Sequence, residues 1–393
     1  MKKNTLVIPS LVALAATASS ASAQGLLDVS PTSGETGSLP LTFTAGVETG
    51  WDSNVNNSSN NEVDSLFTAG NLGMEYSSVT ERTSVALGVK GGVFYYFDQA
   101  PGIDDTLYNA RVNFAFSHAV SDRLRISNRS YYSYEFEPDY VIGESLSRRA
   151  DQYNYGYTSF NVGYSLTERV YSSTDLTVSG ITYDQSLVSF SEDRLTYGVG
   201  ESLRYAVDEN FGLDATYRWS LTDYDNGAET QSHYALVGFD YAADENTDIV
   251  ARVGAQFRLS DDYGDKTSPY FEGALTHDVS EVTTFSWLHR LGYEESDLNA
   301  LTTSRYAYRT SASLSRSLTE KLTGSTGLVY SYADFDGAAS RTDNLVSARF
   351  GVNYALTQAF TVGANYSFNM VDSDDALRDY DRHRVSLNLG ATF

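Results

Sequence analysis

The strongest constraint in this sequence is a two-residue alternation that persists over unusually long stretches. Between Leu213 and Thr222, odd positions are apolar or aromatic and even positions are polar. Similar runs cover residues 108–117 and 248–259. Because successive side chains of a strand point to opposite faces, each run predicts a strand with one apolar and one polar face. The runs exceed the ordinary strand of about five or six residues and match the roughly 9 to 11 that a tilted strand needs to cross a bilayer.

Short turn-like segments recur between these runs. Each interval between two such segments holds two strands and one longer polar segment, whereas a propeller blade of about 40 to 45 residues would hold four strands. Short turns that alternate with longer loops are typical of outer-membrane barrels, whose tight turns face the periplasm. The segments are Val79–Arg82, Val120–Arg123, Leu166–Arg169, Val207–Asn210, Ala243–Asn246, Val279–Val282, Leu318–Lys321 and Leu356–Ala359.

Together these patterns predict an all-β fold, a transmembrane antiparallel up-and-down β-barrel of about 18 strands, within a range of about 16 to 18. Aromatic residues such as Tyr95, Tyr132 and Tyr330 gather at strand ends beside the longer loops, as an interfacial girdle requires. The alternative is a water-soluble all-β protein, since alternation alone shows only that one face of a sheet is buried.

Two places do not follow the alternating phase. Glu201 falls on the lipid-facing side of its strand, and only a local register shift would turn it inward. Tyr153, Tyr155 and Tyr157 are out of step with Phe160. This mismatch predicts a β-bulge at one of the two residues before Phe160.

The first 23 residues have the features of a secretory signal peptide. Lys2 and Lys3 precede an apolar stretch, and Ala21 and Ala23 frame a small-residue cleavage site. We therefore expect cleavage after Ala23, a periplasmic lead-in over residues 24–40 and an outer-membrane barrel over residues 41–393. The alternative is an uncleaved anchor helix, but the apolar stretch is shorter than the roughly 20 residues that a spanning helix needs.

Charge and cysteine content exclude several classes of function. The chain has 393 residues, with 27 Lys and Arg against 51 Asp and Glu, and a formal net charge of −24. Nucleic-acid binding needs a basic face, so no nucleic-acid partner is expected. The absence of cysteine excludes disulfides, thiolate metal sites, iron–sulfur clusters and cysteine nucleophiles.

Catalytic residues, cofactors and metal sites are not predicted. The five histidines are scattered, and no His-Glu-x-x-His motif, phosphate-binding loop or nucleophile elbow is present. His233, near Asp223 and Asp225, is the least unfavourable catalytic candidate. The acidic loop segments Asp261–Asp265 and Asp372–Asp375 lack the ligand spacing of a calcium loop, and we interpret them as solvated or in contact with cations between lipopolysaccharides.

If the apolar faces contact lipid, basic residues line the inside of the barrel. A ring of Arg or Lys in a pore favours anions, and a barrel of about 16 to 18 strands is wide enough for an aqueous channel. Alternatively, these cations pair with inward carboxylates such as Glu48, Glu75, Asp214, Asp240 and Asp248 and only brace the wall. The predicted lining residues are Lys90, Arg111, Arg125, Arg129, Arg218, Arg252, Arg258, Arg309, Arg349 and Arg384.

Two segments carry a resemblance to known proteins. The last strand alternates through Val385, Leu387 and Leu389 to Phe393 and resembles the C-terminal sorting signature of bacterial outer-membrane barrels. That resemblance implies the barrel-assembly machinery as a partner. The first hairpin carries a glycine–aromatic–Asp–x–Asn–Val motif in Gly50–Val55, which resembles the opening of the putative β-barrel porin 2 family. Some members of that family are associated with exopolysaccharide export.

Two functions stay open on the sequence. The first is passive diffusion of small solutes, with a preference for anions, through a porin in the outer membrane of a Gram-negative bacterium. The second is a structural barrel, or one that assists polysaccharide export. Outer-membrane lipid and lipopolysaccharide are the expected surroundings in both, and conductance across a planar bilayer separates them.

Overall fold

The computed structural model describes residues 41–137, 152–184, 193–261, 264–295, 304–338 and 340–393. The predicted signal peptide and lead-in lie outside these ranges. In the described ranges no helix is long and apolar enough to cross a membrane. The strands are β1 (Leu41–Asp52), β2 (Ser65–Val79), β3 (Thr83–Tyr96), β4 (Thr106–Ala119), β5 (Leu124–Glu135), β6 (Tyr153–Ser165), β7 (Val170–Tyr183), β8 (Arg194–Ala206), β9 (Phe211–Tyr224), β10 (Glu229–Asp244), β11 (Thr247–Leu259), β12 (Lys266–Ser280), β13 (Thr283–Glu294), β14 (Ser304–Ser317), β15 (Leu322–Asp336), β16 (Arg341–Ala355), β17 (Phe360–Ser373) and β18 (Tyr380–Thr392).

These strands form one antiparallel sheet of 18 strands that closes on itself. Each strand pairs with its neighbours in sequence, and β1 also pairs with β18, where Val47 lies opposite Leu389. Backbone hydrogen bonds between Phe43 and Phe393, at 3.0 and 2.9 Å, extend this seam. Closure lets the first and last strands satisfy each other's edge groups, which lipid cannot do. The predicted up-and-down barrel of about 18 strands is confirmed.

The strands are long enough to span a bilayer. β1 has 12 residues and β10 has 16. At a rise of about 3.3 Å per residue and a tilt near 40°, 12 residues extend about 30 Å along the membrane normal. Strand length therefore fits the hydrocarbon core without helical segments.

The eight predicted short turns all lie at one end of the barrel, here called the turn end, and the other connections lie at the loop end. Side chains in the turns accept backbone hydrogen bonds. Thr167 Oγ1 accepts from the amides of Arg169 and Val170 at 3.2 and 3.0 Å. Asp208 Oδ1 likewise accepts from the amides of Asn210 and Phe211 at 2.9 Å each. Short hydroxyl and carboxyl side chains recur at this position because they complete the turn locally.

Two connections at the loop end, residues 225–228 and residues 337–340, depart from the predicted contrast between short turns and long loops. β9 and β10 are joined at the loop end by residues 225–228 alone, where Gly227 has a φ of 85°. Glycine adopts this left-handed conformation without a steric penalty. The loop end therefore has a tight hairpin between β9 and β10 in place of a longer loop.

Alternate side chains of each strand divide between an exposed apolar face and an enclosed polar face. On β9, Leu213 and Tyr217 are exposed, whereas Asp214 and Thr216 are buried. The bulge predicted before Phe160 is wrong, because β6 pairs with β5 and β7 without a register shift. Tyr153 and Tyr155 instead point inward, where they pack with Ile181. The mismatch in the sequence marks aromatic side chains on the enclosed face.

Candidate functional site

The candidate site is the enclosed face of the barrel. All ten predicted lining cations face inward, because in each strand they alternate with the exposed apolar side chains. They are Lys90, Arg111, Arg125, Arg129, Arg218, Arg252, Arg258, Arg309, Arg349 and Arg384. Their position on this face follows from the period of two alone. Whether they take part in conduction remains a prediction.

A cluster of ion pairs connects β9, β11 and β12 on the enclosed face. Arg252 Nε donates to Asp214 Oδ1 at 2.9 Å, and its Nη1 donates to Glu272 Oε1 at 3.2 Å. Arg218 donates to the same Glu272 through its two terminal nitrogens, Nη1 and Nη2, at 2.8 and 2.5 Å. Tyr270 Oη donates to Glu272 Oε2 at 2.8 Å. Glu272 is therefore the common acceptor that holds two cations against the wall.

Similar pairs occur farther along the wall. Glu294, at the loop end of β13, accepts from Arg305 at 2.7 Å and from Arg309 at 2.6 Å. Arg204 on β8 pairs with Asp240 on β10, where its Nε donates at 2.6 Å. Such charge-assisted contacts between strands are the bracing arrangement that the sequence left open.

The segment that follows β5 folds into the barrel. Phe136 and Glu137 are both buried, and Glu137 Oε2 accepts from Arg382 Nη1 on β18 at 2.7 Å. Arg382 Nε also donates to Asp52 Oδ1 on β1 at 2.9 Å. Since β5 and β18 are separated by the four strands β1 to β4, this contact crosses the interior. We call the group Arg382, Asp52 and Glu137 the latch.

An apolar cluster inside the barrel supports the latch. Phe136 contacts Phe94 edge-on, with ring centroids 5.1 Å apart, and both belong to a buried group with Phe67 and with Val55 from the β1–β2 loop. The guanidinium of Arg384 lies 4.1 Å from the centroid of the Phe67 ring. Two loops therefore narrow the interior on the side formed by β1 to β4.

A second inward contact follows β13. Glu295 Oε2 accepts from Tyr224 Oη at 2.5 Å and from Thr230 Oγ1 at 3.2 Å, and Arg258 Nη2 lies 3.7 Å from it. Gln256 on β11 donates to the carbonyl of Tyr293 at 3.2 Å. These contacts tie the start of the β13–β14 loop to the wall formed by β9 to β11.

The ten predicted cations differ in how they are held. The side chain of Arg252 and that of its partner Asp214 are each 3% exposed. Lys90 and Glu75, in contrast, are 38% and 39% exposed and lie 3.8 Å apart. Arg125 is exposed, and no carboxylate of the described residues lies within ion-pairing distance of it. Of the carboxylates named from the sequence, Glu48, Glu75, Asp214 and Asp240 have ion-pair partners in the described ranges.

Sequence reasoning missed the latch. Arg382 has the same phase as Arg384, two residues later, so continuing the alternation by one step would have placed it inside. Glu137 and Asn57 lie in loops, where no period applies. Asn57 has a φ of 48°, which Asn tolerates better than most residues, and its Oδ1 accepts from Arg382 Nη1 at 3.3 Å.

The histidines lie on the exposed face and contact hydroxyl groups of neighbouring strands. His233 Nδ1 is 2.8 Å from Tyr217 Oη, and His118 Nδ1 is 2.8 Å from Thr83 Oγ1. His233 is thus bonded to a tyrosine on the outer wall. Within the described part of the chain, no group of three or more His, Asp or Glu residues has the arrangement of a metal site.

A closed barrel with an apolar exterior and a charged interior defines a porin-like protein of the outer membrane. Residues 35–393 match the family described as "Putative beta-barrel porin 2". The chain belongs to this family, and it lies in the outer membrane of a Gram-negative bacterium. No curated protein matches the chain.

Solved structures of outer-membrane proteins share the barrel at low sequence identity. The chain is similar to OccK9 (OpdG) of Pseudomonas aeruginosa, with 9% identity, 90% of this chain and 98% of that chain covered, and a TM-score of 0.48. It is also similar to OccAB4 of Acinetobacter baumannii, with 11% identity, 92% and 100% covered, and a TM-score of 0.45. A mutant of the ferric enterobactin receptor PfeA of Pseudomonas aeruginosa matches with 8% identity, 91% and 81% covered, and a TM-score of 0.47.

Proposed function

We propose that this protein is a passive diffusion channel for small solutes, with a lumen that favours anions. The observation that carries the proposal is the closed barrel of 18 strands whose enclosed face is lined by charged side chains. A barrel of this strand number is wide enough to hold water. Charged walls lower the cost of moving a solute of opposite charge through that water. No catalytic step is part of the proposal.

The loop segment inside the barrel supports a narrowed channel. Phe136 and Glu137 occupy the interior near β1 to β4, and Glu295 does so near β9 to β11. Solutes would then pass between these two inward segments. These segments lie at the loop end, and screening over about 8 to 10 Å at physiological salt confines the effect of each wall charge to its own level of the lumen.

The preference for anions is assigned to the cations that are not engaged in buried pairs. Arg252 and Arg309 each neutralise a buried carboxylate, and Arg218 neutralises the partly enclosed Glu272. Arg125 is exposed on the enclosed face near the turn end. We therefore assign the selectivity mainly to Arg125, with Lys90 contributing less because Glu75 lies beside it.

Planar-bilayer recordings of the purified protein test the proposal. Under a salt gradient, we expect stable open steps and a reversal potential displaced toward that of the anion. Arg125→Glu should move the reversal potential toward cations. Arg82→Glu is the matched control, because it makes the same charge change in a short turn outside the enclosed face, and it should shift the potential much less.

Other results would contradict parts of the proposal. Equal shifts for both variants would assign the effect to charge at the mouth rather than in the lumen. An electrically silent barrel that is correctly folded would contradict diffusion and favour the structural or polysaccharide-export role.

A further inference from the structure

The outer wall formed by β5 to β8 has a polar centre. Glu201 on β8 is exposed, and its carboxylate accepts hydrogen bonds from Ser172 and Thr174 on β7 at 2.6 and 2.5 Å. The flanking residues of the same phase, Val199 and Leu203, are exposed and apolar. β7 and β8 pair without a register shift, so Glu201 remains on the outer face.

The depth of Glu201 follows from two aromatic residues of the same strand. Tyr197 and Tyr205 are exposed on the outer face, four residues to either side of Glu201. Exposed tyrosines of this kind sit at the membrane interfaces, and four tilted residues span roughly 10 Å along the membrane normal. Glu201 therefore lies midway across the hydrocarbon region. Asp223 and Glu229 also point outward, but they lie at the loop end.

A second polar group lies on the adjacent strands of the same wall. Ser130 Oγ on β5 and Thr158 Oγ1 on β6 are 2.8 Å apart, and Asn128 Nδ2 donates to Thr158 Oγ1 at 3.2 Å. Beside them, a Cβ added to Gly156 would meet no atom within 4 Å. The packing of the barrel therefore does not require glycine here, and its absence of a side chain leaves the outer surface flat.

Lipid does not explain such a surface. Hydrocarbon offers no hydrogen-bond partner, and an ionisable group placed in it is costly unless it faces protein or water. Contacts between proteins inside membranes, in contrast, favour small residues that allow close approach and polar groups that bond across the contact. On β11, in contrast, the exposed residue at this depth is the apolar Val253.

We propose that the outer wall of β5 to β8 is the contact surface for a second copy of this chain. The occupant must lie in the same membrane at the same depth and must offer both donors and acceptors there. The same wall of another copy meets these conditions, because its Glu201 accepts hydrogen bonds and its hydroxyl and amide hydrogens, which now bond within the wall, can donate across the contact instead. A two-fold pairing, the commonest symmetry of homo-oligomers, brings each Glu201 opposite the hydroxyl groups of the other protomer.

Site-specific photo-cross-linking in native outer membranes tests which molecule covers this wall. In the variant Thr158→benzoylphenylalanine, irradiation should give a cross-linked product of twice the chain mass. Mass spectrometry of that product should find only peptides of this chain. Val253→benzoylphenylalanine, on the outer face of β11, is the control and should give no such product. Adducts with lipid alone, or with a different protein, would overturn the proposal.

Subunit counting gives an independent readout. The chain has no cysteine, so Leu377→Cys in an exposed loop allows one fluorophore per protomer. Single-molecule photobleaching should show two steps per particle for the parent and mostly one step for Glu201→Leu, while Val253→Leu keeps two. Single steps in the parent, or two steps in Glu201→Leu, would overturn the proposal. Conductance is unaffected by this outcome if each barrel has its own lumen, so failure here is distinct from failure of the channel proposal.

Discussion

At the scale of single residues, the buried ion pairs of the enclosed face should contribute strongly to stability. Glu272 is the acceptor for both Arg218 and Arg252. Glu272→Ala would leave two cations without this partner in a largely enclosed site. We expect a loss of about 3 to 5 kcal/mol in the free energy of unfolding, which is the usual cost of removing one partner of a buried ion pair. Urea unfolding in lipid vesicles, followed by tryptophan fluorescence, measures it.

Glu75→Ala is the matched control for this prediction. It removes the partner of Lys90 from a pair that is more than one third exposed on both sides. Exposed pairs contribute only about 0 to 1 kcal/mol. Equal losses for Glu75→Ala and Glu272→Ala would show that burial does not govern the contribution of these pairs.

The sequence predicts which residues face inward but not which ones meet. The alternation along each strand was enough to place Arg218 and Arg252 on the enclosed face, because a strand residue faces either the lipid or the interior. Their shared partner Glu272 is on β12, whereas Arg218 is on β9, so the contact depends on the curvature of the wall and on the stagger between strands. Those quantities belong to the closed barrel, and a linear pattern does not contain them.

At the scale of elements, the short turns should depend on their capping side chains. Asp208 accepts hydrogen bonds from the amides of Asn210 and Phe211 in the β8–β9 turn. Asp208→Ala removes both, and we expect a loss of about 1 kcal/mol together with slower refolding into vesicles. Asp208→Asn keeps an acceptor oxygen and should lose less. Identical stability for Asp208→Ala and the parent protein would argue against local capping.

The latch should hold Phe136 and Glu137 close to the wall of β18. Arg382→Gln leaves the carboxylates of Asp52 and Glu137 without their shared cation. The two carboxylates then repel each other and regain water, so the segment should move away from the wall of β18. We expect a larger and noisier single-channel conductance.

Arg341→Gln is the control for the latch. It breaks a pair with Asp343, two residues away on the same strand, and therefore disturbs no contact across the interior. Its conductance should stay close to that of the parent protein. An unchanged conductance for Arg382→Gln would mean that the latch does not limit the passage.

The inward position of residues 136 and 137 could not be read from the sequence. Residues 136 and 137 follow β5 with no period, and Arg382, which binds Glu137, lies 245 residues later in the chain. The strands, in contrast, carry a local signal because each residue faces either lipid or the interior. Only the closed wall brings β5 and β18 close enough for this contact to form.

At the scale of the whole molecule, stability requires the seam between β1 and β18. Val47 lies opposite Leu389, and Phe43 and Phe393 exchange backbone hydrogen bonds. Deleting residues 380–393 would leave β17 and β1 as open edges in lipid, so we expect no heat-modifiable, protease-resistant barrel in outer membranes. Deleting Phe393 alone should lower the amount of assembled barrel, as the resemblance to a sorting signature implies.

A substitution at the same residue separates the effect of the seam from that of the sorting signature. The variant Phe393→Ala keeps the backbone bonds to Phe43 but removes the aromatic side chain, which is 71% exposed. If assembly machinery recognises that side chain, Phe393→Ala should accumulate in the periplasm yet refold normally into vesicles. Normal assembly in cells would leave only the hydrogen-bonded seam as the role of this residue.

The position of the latch ties the order of biogenesis to permeability. Two of its three members, Asp52 and Arg382, come from the first and last strands, which meet only when the cylinder is completed. Until that moment Glu137 lacks the cation that it shares with Asp52, although Phe136 can already pack against Phe94 of β3. If the protein is the channel proposed above, closing the barrel and fixing the segment that narrows it are therefore one event.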